Sequence, residues 1–138
     1  MLTIVDAGPL YSIADDDDAG HDRSVEVFQT RGLEFVIPAL ILGEAAYLVS
    51  VRLGPRAEAA FLRGVASLDA DVQAPTPDDL SRMAELVDRY ADFPLGAADA
   101  SVVALAERLG TDLVVTHDHR HFRVVRPRHC AAFRLLPE

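Results

Sequence analysis

The chain has 138 residues, half of them hydrophobic and a quarter charged, with a formal net charge of −9. That length is enough for one domain with a buried core, and the acidic balance argues against a protein that simply coats nucleic acid. All thirteen basic residues are arginine, which excludes mechanisms built on lysine, such as the P-loop phosphate cradle or a Schiff base.

In chain order, Leu2 to Val5 reads as a short buried strand, followed by a turn at Gly8-Pro9 and a short helix through Leu10 and Ile13. Asp15 to Asp18 with Gly20 reads as a solvated loop. Asp22 is placed to cap a helix through Val25 and Phe28. Phe35-Val36-Ile37 is the second strand, and Pro38 suits the first turn of a helix that passes Glu44 and stops near Leu53 at Gly54-Pro55. An amphipathic helix follows over about Arg56 to Leu68, then a brief strand at Val72. Asp78 opens a helix reaching Tyr90, with Leu80, Met83, Leu86 and Val87 on one face. Pro94 and Gly96 break the chain before a helix over Ala97 to Leu109. Asp112 to Val115 is a strand, and Val124-Val125 and Phe133 to Leu135 are the last extended pieces. Strands alternating with helices predict an α/β sandwich around a mainly parallel sheet.

Four acids interrupt apolar segments. Asp6 ends the first strand, and Asp118 follows Leu113-Val114-Val115-Thr116. Glu44 is the only charge between Ile37 and Val51, and Asp99 the only one between Phe93 and Ala106. An unpaired carboxylate in apolar surroundings costs several kcal/mol or more. Four such residues with almost no basic neighbour point to a shared divalent cation and a magnesium- or manganese-dependent enzyme. In open parallel sheets, sites collect beyond the carboxyl ends of the strands, where Asp6 and Asp118 fall. A site of this kind suits phosphodiester hydrolysis: the cation lowers the pKa of a water, polarises the phosphate and stabilises the leaving oxygen. Each acid also has a simpler reading. Asp6 suits a helix cap, Glu44 a structural hydrogen bond, Asp99 a first-turn acid and Asp118 a turn opener.

Other features bear on the same question. His117, His119 and His121 would share a face in a strand and offer a zinc pattern, but Asp118 and Phe122 fit a turn better. Asp92 belongs to the loop before Pro94 or approaches Asp99. From His119 to Glu138 the chain carries +4, against −13 over residues 1 to 118, so five late arginines either grip a polyanion or lie in solvent. Tyr47, Leu48 and Val51 lie on the helix of Glu44, to pack in the core or face a second subunit. No apolar stretch approaches the roughly 18 residues of a membrane span, and the start lacks a signal-peptide pattern. The single Cys130 excludes an internal disulfide and a multi-cysteine zinc site, so a cytoplasmic location is expected. A phosphotransfer receiver would need a lysine by its acidic pocket, and a HAD-type phosphatase an Asp-x-Asp that Asp6-Ala7-Gly8 breaks.

Four segments resemble a known family. Ile4-Val5-Asp6-Ala7-Gly8-Pro9-Leu10 is similar to the opening motif of PIN-domain nucleases. Leu42 to Leu48 around Glu44 resembles their second motif, Pro94 to Ala100 around Asp99 the third, and Val115 to Phe122 around Asp118 the fourth. Val124 to Pro127 and Leu135-Leu136-Pro137 are similar to the tail of VapC-type toxins. The resemblance implies a single PIN-like domain over residues 1 to 138, a three-layer α/β/α sandwich with about five strands. It implies a Mg2+- or Mn2+-dependent endoribonuclease acting on RNA as the toxin of a type II toxin–antitoxin pair. A homodimer, a cognate antitoxin and no membrane association come with it. Asp6 and Asp99 correspond to the principal metal ligands, Glu44 to a ligand acting directly or through water, and Asp118 completes the catalytic acids. Thr116 corresponds to a supporting hydroxyl. The same fold also serves as a catalytically silent protein-binding module. Two positions depart from the family pattern: Ala7-Gly8 stands where Thr or Ser commonly follows the first acid, and His117 where an apolar residue is common.

Overall fold

The computed structural model describes residues 1–138. The first strand, β1 (Leu2–Val5), buries consecutive residues, so both of its faces need cover. The same holds for β2 (Glu34–Pro38) and β4 (Leu113–Val115). Strands buried on both sides belong to parallel sheets roofed by helices, and the sheet here is parallel throughout, in the order β3-β2-β1-β4-β5. Here β3 is Ala70–Gln73 and β5 is Arg134–Leu136. Helices complete a three-layer α/β/α sandwich around one apolar cluster of 28 buried residues.

The first crossover contains α1 (Ala7–Ala14) and α2 (His21–Phe28); the second contains α3 (Ala39–Leu53) and α4 (Pro55–Ser67). Gly54 separates α3 from α4 at φ 88, a left-handed angle that side chains resist. Both crossovers carry the chain away from β1 on one side. The third, with α5 (Pro77–Arg89) and α6 (Ala97–Leu109), carries it back across the sheet to β4 on the other side of β1. Gly110 ends α6 in the left-handed conformation at φ 70. The chain therefore changes direction between β1 and β4, which register as Ile4 opposite Val114 and Val5 opposite Val115. That reversal opens a crevice at the carboxyl ends of these two strands.

The structure departs from the sequence reading in four places. Val124 is the last residue of a short helix, α7 (His119–Val124), and not part of a strand. Asp118 caps that helix by accepting the His121 N–H at 3.1 Å, which starts a helical turn where two valines alone read as extended. The cap residue of α2 is Gly20, with Asp22 within the first turn. Met83 and Leu86 of α5 are buried, but Leu80 and Val87 are 50% and 36% exposed. The inner seam of α5 is narrow because polar links fasten its flank to α6: Arg82 grips both oxygens of Glu107, and Asp79 pairs with Arg108 at 3.0 Å. The Asp15–Asp18 run is only half solvated. Asp16 and Asp17 are exposed, while Asp15 accepts from the Tyr11 hydroxyl and Asp18 accepts from Ser12 Oγ at 2.7 Å. No helix is long and apolar enough to cross a membrane.

Candidate metal centre

Asp6 leaves the carboxyl end of β1 as the boundary residue of α1, yet its side chain makes no capping hydrogen bond. It is buried and instead accepts from Thr116 Oγ1 at 2.7 Å. The Thr116 oxygen also accepts the Asp118 backbone N–H at 2.9 Å. One hydroxyl therefore ties the end of β1 to the end of β4, and the capping alternative for Asp6 is set aside. Asp118 carries two jobs, capping α7 and pairing with the His121 ring. Asp99 stands in the first turn of α6, half-buried, and Glu44 sits exposed in the middle of α3.

Asp6, Glu44, Asp99 and Asp118 line one open cleft of about 450 Å3, with Gly8, Leu48 and His117 on its wall. The four acids singled out from sequence are thus brought together, and Thr116 braces one of them. Asp92 is exposed and lies outside the cleft lining.

The electrostatics reflect this crowding. Burial pushes the Asp99 carboxyl up to about 6; Asp6, Asp118 and Glu44 push the same way, and His121 opposes them. Burial also raises Asp6 above the usual carboxylate range, although the Thr116 hydrogen bond pulls it down. Glu44, although exposed at the cleft mouth, is raised by partial desolvation of its carboxyl and by the charge of Asp6. The neighbouring acids thus make Asp99, Asp6 and Glu44 harder to ionise, and a bound cation would reverse that coupling. Four carboxylates form an oxygen-only donor set, suited to a hard divalent ion. No three of the acidic or imidazole groups stand close enough to enclose an ion by themselves.

The three histidines do not form a zinc site. The His117 ring points at two serines, His121 pairs with Asp118, and His119 meets only Arg123 at 3.4 Å. The late arginines are also divided. Arg128 pairs with Glu85 at 2.6 Å and Arg134 with Asp112 at 2.8 Å. Arg120, Arg123 and Arg126 remain exposed, Arg120 over the Phe93 ring at 5.6 Å.

Sequence reasoning missed the surroundings of His117. Its ring packs against Gly8, Ser12, Gly20 and Ser24, with Asp18 behind Ser12, while the residue as a whole stays exposed. Partial desolvation of the ring lowers its pKa against the pull of Asp18. The available signal was the pair of departures at Ala7-Gly8 and His117, because a Cβ on Gly8 would stand 3.2 Å from Cδ2 of the His117 ring.

Fold and cleft together define an α/β/α protein with an acidic crevice at its topological switch point. The chain belongs to the PIN domain family, whose model matches residues 3–127. It is 31% identical to Ribonuclease VapC26 of Mycobacterium tuberculosis, across 97% of this chain and 99% of that protein. Among solved structures it is similar to VapC20 of Mycobacterium tuberculosis, described as a sarcin-ricin loop cleaving toxin. That match has a TM-score of 0.75 and 21% identity over 83% of this chain and 87% of the other. It is also similar to VapBC2 of Rickettsia felis bound to a DNA fragment from its promoter, with a TM-score of 0.71 and 14% identity over 98% of each chain. The two structural likenesses speak to the fold.

Proposed function

We propose that this protein is a divalent-metal-dependent endoribonuclease, the toxin of a type II toxin–antitoxin pair. The observation that carries the reading is the convergence of Asp6, Glu44, Asp99 and Asp118 on one cleft in a PIN-domain chain that is 31% identical to a ribonuclease along nearly its whole length. Asp6 and Asp99 would hold the cation, magnesium or manganese, with Glu44 and Asp118 acting directly or through its waters. When bound, the cation supplies an activated water and charge stabilisation at the phosphate.

The rest falls to the chain itself. Thr116 fixes the rotamer of Asp6 by its 2.7 Å hydrogen bond, so that carboxylate meets the cation without reorganising. The N-terminus of α6 offers backbone N–H groups without intrahelical partners beside Asp99, in a position to take a phosphate oxygen. Arg120, Arg123 and Arg126, exposed just after the Asp118 turn, supply the positive charge that guides a polyanion toward an otherwise acidic molecule. Tyr47 and Val51, 67% and 65% exposed on the helix of Glu44, do not pack in the core and are free to meet a second subunit. A homodimer neutralised by a cognate antitoxin completes the proposal. VapBC complexes among the structural neighbours lend it support.

The test is cleavage of RNA by protein stripped of metal with EDTA and resupplied with magnesium or manganese. Cleavage restored by either ion is the expected result. A folded protein that binds its partner but cleaves no RNA with any divalent ion would make this a silent binding module instead.

A further inference from the structure

His117 lies between Thr116 and Asp118 and is exposed at the cleft wall, yet its Nε2 edge reaches a socket built by a different part of the chain. Its Nε2 is 3.0 Å from Ser12 Oγ on α1 and 3.0 Å from Ser24 Oγ on α2. The Ser12 hydroxyl donates its proton to Asp18 Oδ2 at 2.7 Å, and the Gly20 N–H reaches the same oxygen at 3.0 Å. With its proton committed to Asp18, the Ser12 oxygen can only accept from the ring. The tautomer with hydrogen on Nε2 is the one that satisfies it, the single N–H being shared between Ser12 and Ser24. Ser12 and Ser24 are both buried, so this ring supplies the partner that buried hydroxyls require.

Two glycines complete the fit. A Cβ at Gly20 would stand 2.7 Å from His117 Nε2, and one at Gly8 would stand 3.2 Å from its Cδ2. Neither glycine has a positive φ; only Gly32, Gly54 and Gly110 do. Backbone conformation does not call for glycine at 8 or 20, but the space taken by the ring does. A side chain that merely filled a gap would need neither the two hydroxyls nor the Asp18 relay. This arrangement holds the turn between β4 and α7 against α1 and the α1–α2 connection, while Thr116 ties the same turn to Asp6.

Building on the nuclease reading above, we propose that His117 is a positioning residue: seated in the socket of Ser12, Asp18, Gly20 and Ser24, it fixes the turn that carries Asp118 and so sets the spacing between Asp118 and Asp6 across the cleft. In this role it acts through the carboxylates and not on the RNA itself.

The test compares His117→Phe, which keeps a ring without the Nε2 donor, with His117→Gln, whose amide nitrogen reaches the same place. Gly20→Ala is made in the wild type and in His117→Ala. Three readouts are taken: kcat and KM on an RNA oligonucleotide, the Kd for manganese alone, and hydrogen exchange over residues 15 to 24 in EDTA. We expect His117→Phe to lower kcat about tenfold or more, with KM within about twofold of wild type, since small misplacement of a catalytic group costs rate more than binding. The manganese Kd rises with it, exchange protection over 15 to 24 falls, and His117→Gln recovers most of all three. Gly20→Ala should be costly beside His117 and clearly less so once the ring is gone, because the 2.7 Å approach is to the ring and only the 3.1 Å approach to Ser12 Oγ remains. Faster exchange with unchanged kcat and manganese Kd would reduce His117 to a structural latch and overturn the proposal. An equal cost of Gly20→Ala in both backgrounds would also overturn it. If the wild type cleaves no RNA while the manganese Kd still depends on His117, the nuclease reading fails and the positioning role stands.

Discussion

Asp99 is held in the first turn of α6 among three other acids, and its carboxyl rises to about 6 chiefly because it is partly withdrawn from water. In the unfolded chain the same group titrates near 4. The folded state therefore keeps its proton over a range where the unfolded state has lost it. Stability from this group is complete below about pH 4 and is lost as pH rises toward about 6. Asp6 and Glu44 shift in the same direction and add to the slope, while His121 opposes it. We expect metal-free protein to melt at progressively lower temperature from pH 4 to 6.5, with Asp99→Asn flattening that decline. The effect is on the order of 1–2 kcal/mol once solvent screening of a half-buried group is allowed for. Magnesium at neutral pH should restore the loss, by about 2.7 kcal/mol at a hundredfold excess over Kd. Equal magnesium-induced shifts in wild type and Asp99→Asn would remove Asp99 from the metal centre. The four acids were legible in sequence because each stands alone in an apolar run, where a lone charge is expensive. The His117 socket was not, because it joins position 117 to positions 12, 18, 20 and 24, which no local pattern connects.

At the scale of elements, α5 and α6 are joined by charges as much as by apolar packing. Thr76 caps α5 in a reciprocal box with Asp79, whose side chain accepts the Thr76 N–H at 3.0 Å, and the same carboxylate pairs with Arg108 of α6. Asp79→Ala removes half the box and leaves Arg108 without its partner. We expect a loss of about 1–2 kcal/mol in urea or thermal unfolding, with RNA cleavage unchanged at temperatures where the variant is folded. An unaltered unfolding midpoint would mean that the cap contributes nothing to α5. The sequence placed this helix well but misjudged its face: spacing marked Leu80 and Val87 as inward, whereas α5 turns mainly Met83 and Leu86 to the core. The misreading of Val124 has a related cause. Two β-branched residues favour extension locally, but the Asp118 cap fixes the preceding turn as a helix, and tertiary context prevails.

Across the whole molecule, the strand order was beyond reach of the sequence, although the alternation of strands and helices announced a parallel sheet. The switch point between β1 and β4 follows from the third crossover returning past β1, and that return brings Asp99 to Asp6 from more than ninety positions away. The negative net charge is likewise uneven in space: Arg128 and Arg134 are neutralised within the fold, whereas Arg120, Arg123 and Arg126 are exposed and pair with no carboxylate. Exposed Tyr47 and Val51 leave an apolar strip on α3 that a subunit interface would cover. We expect sedimentation at twice the 15.0 kDa chain mass at micromolar concentration, and loss of that dimer on Val51→Glu. A wild-type monomer under those conditions would contradict the assembly.

The central claim is that the four-acid cleft holds a cation that cleaves RNA, and it is tested most directly by cleavage rates of wild type, Asp6→Asn and Asp99→Asn after metal stripping and resupply of magnesium. Both substitutions keep the side-chain shape and remove the charge that would hold the ion. With circular dichroism confirming that all three are folded, the account predicts magnesium-restored cleavage in wild type and rates at least about a hundredfold lower in each variant. Full cleavage by both variants, or wild-type cleavage that persists in EDTA, would contradict it.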